Sequence, residues 1–348
     1  MNVDHIHFYV EDASTWRDWF VRKLEFQSIA SSISTHTHTE IIQSGSVRFW
    51  LSSARASESP VFAYLQNHPA GVADVAFQVA DVEAATAQAV AAGAKLLQLP
   101  ELSESGCKAA LIQGWGSLQH TLIERSLSEQ QMSRTNPTRL EVDHVVLNVE
   151  QGNLEKAIAW YEKALGFQRQ QAFTIQTQRS ALCSQVLRHP AGNAQLPINQ
   201  PASDSSQIQE FLDFNRGAGV QHIALQTHGI VETIDRLRRN GMSFLSVPAS
   251  YYEQLRLRPG FPLSQAEWEA VAAQEVLVDW QPDQPLAVLL QTFTQPIFSE
   301  PTFFFELIER RWYWWQQRHQ QAQGFGEGNF QALFEAIERE QMKRESLR

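Results

Sequence analysis

Val142-Asp143-His144-Val145-Val146-Leu147-Asn148-Val149 repeats, in the second half of the chain, the pattern of Val3-Asp4-His5-Ile6-His7-Phe8-Tyr9-Val10. Both runs are rich in apolar and β-branched residues, which is typical of strands. Each leads into a helical stretch with an aromatic pair, Trp19-Phe20 in the first half and Trp160-Tyr161 in the second. The two halves therefore begin in the same way.

Two further pairs of strand-like segments match between the halves. Gly71 to Gln78 corresponds to Gly219 to Gln226, and Thr121 to Arg125 corresponds to Glu306 to Arg310. Two weakly similar halves indicate a duplicated unit. Strands separated by helices predict an α+β or α/β layer in each half.

The repeat also suggests domain boundaries. We expect a first domain over residues 1–125, a polar linker over residues 126–139 and a second domain over residues 140–348. Between its second and last matched strands the second half has extra material, roughly Ser250 to Pro296, and a helical tail follows its last strand. Segments present in one copy alone suggest that function is concentrated there.

Composition narrows the class of protein. A length of 348 residues suits two domains, and 43% hydrophobic with 19% charged residues is a globular composition. The net charge of −10 weighs against a nucleic-acid partner. Two cysteines cannot form a disulfide framework, and no apolar run approaches the ~18 residues of a membrane span. The composition predicts a soluble cytoplasmic protein without a membrane anchor.

The matched strands differ at three positions that can carry metal chemistry. The second half has His144, His222 and Glu306, where the first half has His5, Asp74 and Thr121. Two histidines and one carboxylate on three strands form a facial triad, which suits Fe(II) and leaves coordination positions open. The first half lacks a complete set, because threonine is not a carboxylate. The second half is therefore the predicted metal-binding half.

Other interpretations compete with this one. Any single histidine here would more simply be a hydrogen-bonded core residue, but a matched set of three in one copy favours a metal site. His5-x-His7 and His36-x-His38 with Glu40 could also bind metal. For the second pair, however, we expect exposed positions on an edge strand. For Arg311-Trp312-Tyr313-Trp314-Trp315 we expect packing between barrel and tail, or a subunit contact.

Four motifs in order resemble the 4-hydroxyphenylpyruvate dioxygenase family. They are Gly219 to Leu225, Leu289 to Thr294, Pro301 to Arg310 and Gly324 to Phe334. The resemblance implies two tandem vicinal-oxygen-chelate (glyoxalase/bleomycin-resistance-like) domains, built from paired βαβββ modules that form open barrels, plus a C-terminal helix. It also implies a homo-oligomer, either a dimer or a tetramer.

The resemblance further implies an activity and its cofactor. An Fe(II)-dependent dioxygenase, with one Fe(II) per chain, would convert 4-hydroxyphenylpyruvate and O2 to homogentisate and CO2. The reaction combines oxidative decarboxylation, ring hydroxylation and side-chain migration. The implied metal ligands are His144, His222 and Glu306.

A larger set of residues is implied for the substrate. Gln291, Phe293, Asn329 and Phe330 would be catalytic, and the substrate pocket would comprise Ser180, Asn199, Gln207, Gln221, Gln291, Phe293, Phe304, Phe330 and Phe334. Gln221 could reach the pocket only if a bulge interrupts the alternation of its strand. Glu309 departs from the family, which usually has glutamine there, but alternation turns it away from Glu306.

The end of the chain is predicted to be a lid. Gly324, Gly326 and Gly328 would form a hinge, and Phe330 on the following amphipathic helix would close the pocket against water. Three rival functions remain open: a hydroxymandelate synthase, which oxidises the benzylic carbon of the same substrate, an extradiol dioxygenase, and a metal-free ligand-binding protein of the same superfamily.

Overall fold

The computed structural model describes residues 1–103, 106–125, 140–177, 180–203, 205–281, 283–326, 328–332 and 342. The predicted linker over residues 126–139 lies outside these residues, and so does Phe334. The described chain forms two eight-stranded mixed sheets, one from each half, and a two-stranded hairpin.

The first sheet consists of eight strands in the order β2-β3-β4-β1-β5-β8-β7-β6. Their bounds are Asn2–Tyr9 (β1), Gln27–Ile33 (β2), Thr37–Ser44 (β3), Val47–Ala54 (β4), Gly71–Gln78 (β5), Leu96–Leu102 (β6), Lys108–Gln113 (β7) and Gln119–Glu124 (β8). The helices of this half are Ala13–Leu24 (α1), Pro60–Asn67 (α2) and Val82–Ala91 (α3).

The second sheet repeats this topology in the order β10-β11-β12-β9-β13-β16-β15-β14. Its strands are Glu141–Asn148 (β9), Gln168–Gln176 (β10), Ala181–Arg188 (β11), Gln195–Pro201 (β12), Gly219–Gln226 (β13), Leu277–Gln281 (β14), Gln284–Phe293 (β15) and Phe304–Arg310 (β16). Its helices are Leu154–Leu165 (α4), Gln207–Asn215 (α5), Ile230–Arg239 (α6), Ala249–Leu255 (α7) and Gln265–Ala273 (α8). Each half therefore contains two βαβββ modules, which confirms the predicted α+β duplication.

The duplication includes irregularities of the strands. Register shifts interrupt the β1–β5 pair at Asp4 and Ala73, and the β9–β13 pair at Asp143 and Gln221. A bulge adds one residue to a strand and lets two consecutive side chains lie on one face. The shift at Gln221 is the bulge that its predicted pocket position requires.

The two faces of each sheet have different roles. One face packs into a hydrophobic core that both halves share, with Phe49 of β4 stacked on Phe305 of β16 at 5.8 Å between ring centroids. At the same boundary, His120 of β8 bonds the Tyr161 hydroxyl of α4 at 3.0 Å. The opposite face of the second sheet carries His144, His222 and Glu306 (below).

Three expectations change on the structure. β14 and β15 are the counterparts of β6 and β7, so the true addition within Ser250 to Pro296 contains the helices α7 and α8. The tryptophans follow β16 in a hairpin, Trp312–Trp315 (β17) and Arg318–Gln321 (β18), and Trp314 is 67% exposed, so packing between barrel and tail is wrong for Trp314, whereas the alternative, a subunit contact, stays a prediction. β3 is an inner strand and not the edge strand expected for the second His-x-His pair, and its Glu40 is buried against Arg17.

No helix among the described residues combines the length and apolar character needed to cross a bilayer.

Candidate metal centre

Three neighbouring strands bring His144, His222 and Glu306 together. Ala224 of β13 pairs with His144 on β9 and with Glu306 on β16, and His222 lies two residues earlier on β13. Paired residues and residues two apart share a face of a sheet. The three side chains therefore converge on one face, and all are buried.

The geometry of the centre leaves three ligand atoms facing one another. Glu306 Oε2 lies 3.4 Å from His144 Nε2 and 3.6 Å from His222 Nε2. None of these three buried atoms has a hydrogen-bond partner among the described residues. Burying unpaired polar atoms is unfavourable, so such a cluster indicates a ligand. The donor set of two imidazoles and one carboxylate fits a divalent transition metal.

The other nitrogen of each imidazole has an acceptor. Asp143 Oδ1 lies 2.8 Å from His144 Nδ1, and Gln221 Oε1 lies 3.2 Å from His222 Nδ1. An acceptor at Nδ1 keeps a proton at that nitrogen, so Nε2 is the nitrogen that a metal would bind. Both acceptors sit at the register shifts, so the bulges orient the ligands.

Burial and charge act against each other on the pKa values here. Burial lowers the pKa of His222. Burial alone would also lower the pKa of His144, but the charge of Glu306 and the bond to Asp143 raise it to about 9. Burial opposes ionisation of Glu306, yet the two imidazoles lower its pKa to about 2. The carboxylate is therefore ionised at neutral pH and available as a ligand.

Asp143 and Arg310 were missed by the sequence interpretation. Arg310 Nε and Nη2 donate to the two oxygens of Asp143 at 2.6 and 2.8 Å. A signal was present, because Val-Asp-His and a terminal Arg occur in both halves, with Asp4 and Arg125 in the first. A comparison that searches for differences between the copies overlooks what they share.

Gln291 and Asn329 form a chain of amides that begins at Glu306. Gln291 Nε2 donates to Glu306 Oε1 at 2.9 Å, and Gln291 Oε1 accepts from Asn329 Nδ2 at 2.7 Å. The hydroxyl of Tyr251, which the sequence interpretation did not identify, donates to Asn329 Oδ1 at 3.2 Å. Gln291 Nε2 also donates to the Phe325 carbonyl, so both amide hydrogens are engaged within the protein.

Aromatic rings form the wall beside the centre. Phe304 stacks on His222 with 4.8 Å between ring centroids, and Phe325 meets the His144 ring edge-on at 5.1 Å. Phe293 lies next to Phe304, and Phe330 belongs to the same buried cluster. The predicted ring-binding residues therefore lie together around the histidines, and Phe325 is an addition to them.

The remaining predicted pocket residues lie further along the same half. Asn199 pairs with Asn148 and donates to its side-chain oxygen at 3.2 Å, on the face that carries His144. Ser180 and Gln207 are buried, and Ser180 Oγ accepts from the Gln207 backbone at 3.3 Å. Phe334 lies outside the described residues.

Glu309 lies outside the centre, as alternation predicts. Its Oε2 accepts from the backbone N–H of Ile230 at the start of α6.

Comparisons with known proteins agree with this arrangement. Residues 141–257 match the family described as "Glyoxalase/Bleomycin resistance protein/Dioxygenase superfamily". The 4-hydroxyphenylpyruvate dioxygenase of Yarrowia lipolytica is 35% identical over 99% of this chain and 93% of its own. An uncharacterised protein of Synechocystis is also 35% identical, over 97% of both chains.

The chain belongs to the 4-hydroxyphenylpyruvate dioxygenase family.

It is therefore an enzyme of the dioxygenase class, and its fold is the tandem vicinal-oxygen-chelate fold. Family membership implies a metal cofactor, which the donor set described above fits. Among solved structures, a mutant of 4-hydroxymandelate synthase from Streptomyces coelicolor superposes with a TM-score of 0.85 at 28% identity, over 98% of both chains.

Proposed function

We propose that this enzyme converts 4-hydroxyphenylpyruvate and O2 to homogentisate and CO2, using one Fe(II) per chain held by His144, His222 and Glu306. The observation that supports this most is the set of three buried ligand atoms that have no hydrogen-bond partner among the described residues, in a member of this family. Fe(II) held there would supply Lewis acidity and electrons for the activation of O2. The proposal also includes a cytoplasmic homo-oligomer, either a dimer or a tetramer.

The residues of the chain would position the substrate and exclude water. Phe293, Phe304 and Phe330 would hold the aromatic ring, each edge or stacking contact contributing about 1 kcal/mol beyond burial. Asn199 would hydrogen-bond a substrate oxygen, helped by Asn148 Nδ2 and Ser184 Oγ. These two buried atoms have no partner among the described residues.

We propose two different tasks for the polar residues around the centre. Gln291 would hold Glu306 in its ligand orientation, because its amide already spans Glu306 and Asn329. Gln221 would do the same for His222. Ser180 and Gln207 would complete the polar side of the pocket, where substrate oxygens or bound water accept and donate hydrogen bonds.

A second candidate is hydroxymandelate synthesis from the same substrate. The superposition with 4-hydroxymandelate synthase at a TM-score of 0.85 favours it, since both reactions can use one fold. They differ in the carbon that is oxidised, which depends on how the pocket orients the ring.

The test is anaerobic loading with Fe(II) and 4-hydroxyphenylpyruvate, followed by O2 and identification of the product by chromatography. We expect a charge-transfer band of the bound keto acid and then homogentisate. Hydroxymandelate as the product would favour the second candidate. Absence of both the band and the products would contradict both.

A further inference from the structure

Arg310 contacts two parts of the molecule that are distant in sequence. Through Nε and Nη2 it holds Asp143, which bonds the ring of His144. Through Nη1 it donates to the Gly324 carbonyl at 2.7 Å and to the Ala322 carbonyl at 3.3 Å. Its side chain is 93% buried. One guanidinium therefore joins a candidate metal ligand to the backbone at Ala322 and Gly324.

We propose that Arg310 is a positioning residue that couples docking of the terminal segment (residues 322–326 and 328–332) to the orientation of His144 as a metal ligand. The fork of an arginine fixes planar, bidentate geometry at Asp143 while leaving further N–H groups for the carbonyls. When the segment leaves, these carbonyl bonds are lost and the guanidinium loses one of its two constraints. The hydrogen bond that orients His144 then loosens.

A second connection runs from the centre into the same segment. Glu306 bonds Gln291, and Gln291 bonds both Asn329 and the Phe325 carbonyl. Two of the three candidate ligands therefore depend on contacts with the terminal segment. Coupling between two binding events is reciprocal, so the metal should strengthen docking of the segment as much as docking strengthens metal binding.

The first half provides an internal control. Arg125 holds Asp4 at 2.5 and 2.8 Å, and Asp4 Oδ1 lies 2.7 Å from His5 Nδ1, as in the second half. There Arg125 Nη1 points to the sulfur of Cys107 at 3.5 Å. The Arg–Asp–His arrangement thus occurs in both halves, and within the part of the chain that the structure describes it is Arg310 that also bonds the segment beside the centre.

The experiment measures hydrogen exchange at the backbone amides of Gly328, Asn329 and Phe330, with and without Co(II) alone. Gly328 donates to Asp279, so its amide reports docking, whereas Asn329 and Phe330 donate to the Gly326 carbonyl and report the turn within the segment. The variants are Arg310→Lys and, as the matched control, Arg125→Lys. Each variant keeps the positive charge but loses the planar guanidinium that can donate two parallel hydrogen bonds to a carboxylate.

In the unmodified chain and in Arg125→Lys we expect Co(II) to slow exchange about tenfold. In Arg310→Lys we expect Co(II) to bind roughly 10- to 100-fold more weakly. Even at saturating Co(II), exchange in this variant should slow by clearly less than about tenfold, because only the connection through Gln291 remains. Equal slowing in Arg310→Lys and the unmodified chain would overturn the proposal.

If Arg310→Lys does not fold, Asp143→Asn breaks the same connection at its other end and should show the same reduced slowing, whereas slowing equal to that of the unmodified chain would overturn the proposal. The inference rests on the proposed metal site, and the two can fail separately. No Co(II) binding to the unmodified chain would refute the site. Binding without slower exchange in that chain would refute the coupling alone.

Discussion

The two halves share one framework around different central residues. In both, an aspartate at a bulge bonds the neighbouring histidine and receives two bonds from an arginine at the end of the last strand. A second bulge lies at Ala73 in one half and at Gln221 in the other. The framework is therefore not sufficient for a metal site, because the first half has all of it.

The difference lies in how the central polar atoms are satisfied. In the first half, both oxygens of Asp74 accept bonds from Thr121, from its backbone N–H at 2.8 Å and its hydroxyl at 2.7 Å. In the second half the three ligand atoms have no hydrogen-bond partner among the described residues. Thr121 therefore satisfies the buried carboxylate of the first half with hydrogen bonds from the protein, whereas the centre around Glu306 can accept a ligand.

The two glutamines that bond the candidate metal ligands have no equivalent in the first half. The register places Ala73 where the second half has Gln221, and Ala109 where it has Gln291. Residues that hold metal ligands in place are needed only where ligands are present. The two halves therefore differ at interior positions of the sheet and share its strand order and bulges.

Removing the carboxylate should have the largest effect. Glu306→Ala deletes one of three ligands, so we expect metal affinity to fall by more than the roughly 100-fold typical for losing a ligand's hydrogen-bond partner. Both the keto-acid band and the product should disappear. Thr121→Ala at the matching position should leave metal binding unchanged and reduce stability by about 1 kcal/mol. Metal titration and product chromatography check this, and an active Glu306→Ala enzyme would contradict the assignment.

Preventing the terminal segment from docking should have the next largest effect. Gly326 has φ +70° and lies against the Gln291 amide, so an added Cβ would meet that side chain. Gly326→Ala should displace the segment and lower kcat about 100-fold, since water then enters the pocket. Gly93→Ala is the control, because it has φ +93° and nothing within 4 Å of the added Cβ. An unchanged kcat in Gly326→Ala would argue against a lid.

A smaller effect concerns stability at the boundary between the halves. His120 occupies the place that Phe305 has in the second half, and burial lowers its pKa to about 4. The unfolded chain, with a pKa of about 6.5, binds the proton first, so stability is complete above that pH and is lost towards the folded pKa. The loss between pH 7 and pH 5 should be about 2 kcal/mol.

His120→Phe isolates this contribution. Urea unfolding of both proteins at pH 7 and pH 5 gives two stability differences. The variant should be less stable at pH 7, because the Tyr161 hydroxyl loses its partner, yet its stability should fall less between the two pH values. An equal fall in both proteins would show that His120 titrates normally in the folded chain.

The sequence predicted what differs between the halves and missed what they share. The strand-by-strand comparison singled out Glu306 against Thr121, because a carboxylate between large apolar residues requires a partner. It could not single out Asp143 or Arg310, which have equivalents in the first half. Alternation alone also placed Gln221 on the wrong face, since a bulge is a property of two paired strands. Contacts of Phe325 and Tyr251 depend on long-range packing that no local pattern encodes.

Rebuilding the missing ligands in the first half should have the smallest effect. Asp74→His with Thr121→Glu would give His5 the partners that His144 has, and Asp4 already orients His5 through Nδ1. Ala73 and Ala109 offer no side chain to hold the new ligands, and the His5 ring is stacked on Trp50 at 4.2 Å. We therefore expect a second Co(II) to bind at least about 100-fold more weakly than the first. Calorimetric titration of the double variant measures both sites, and a second site of equal affinity would mean that the ligands alone, without their supporting glutamines, determine metal binding in this fold.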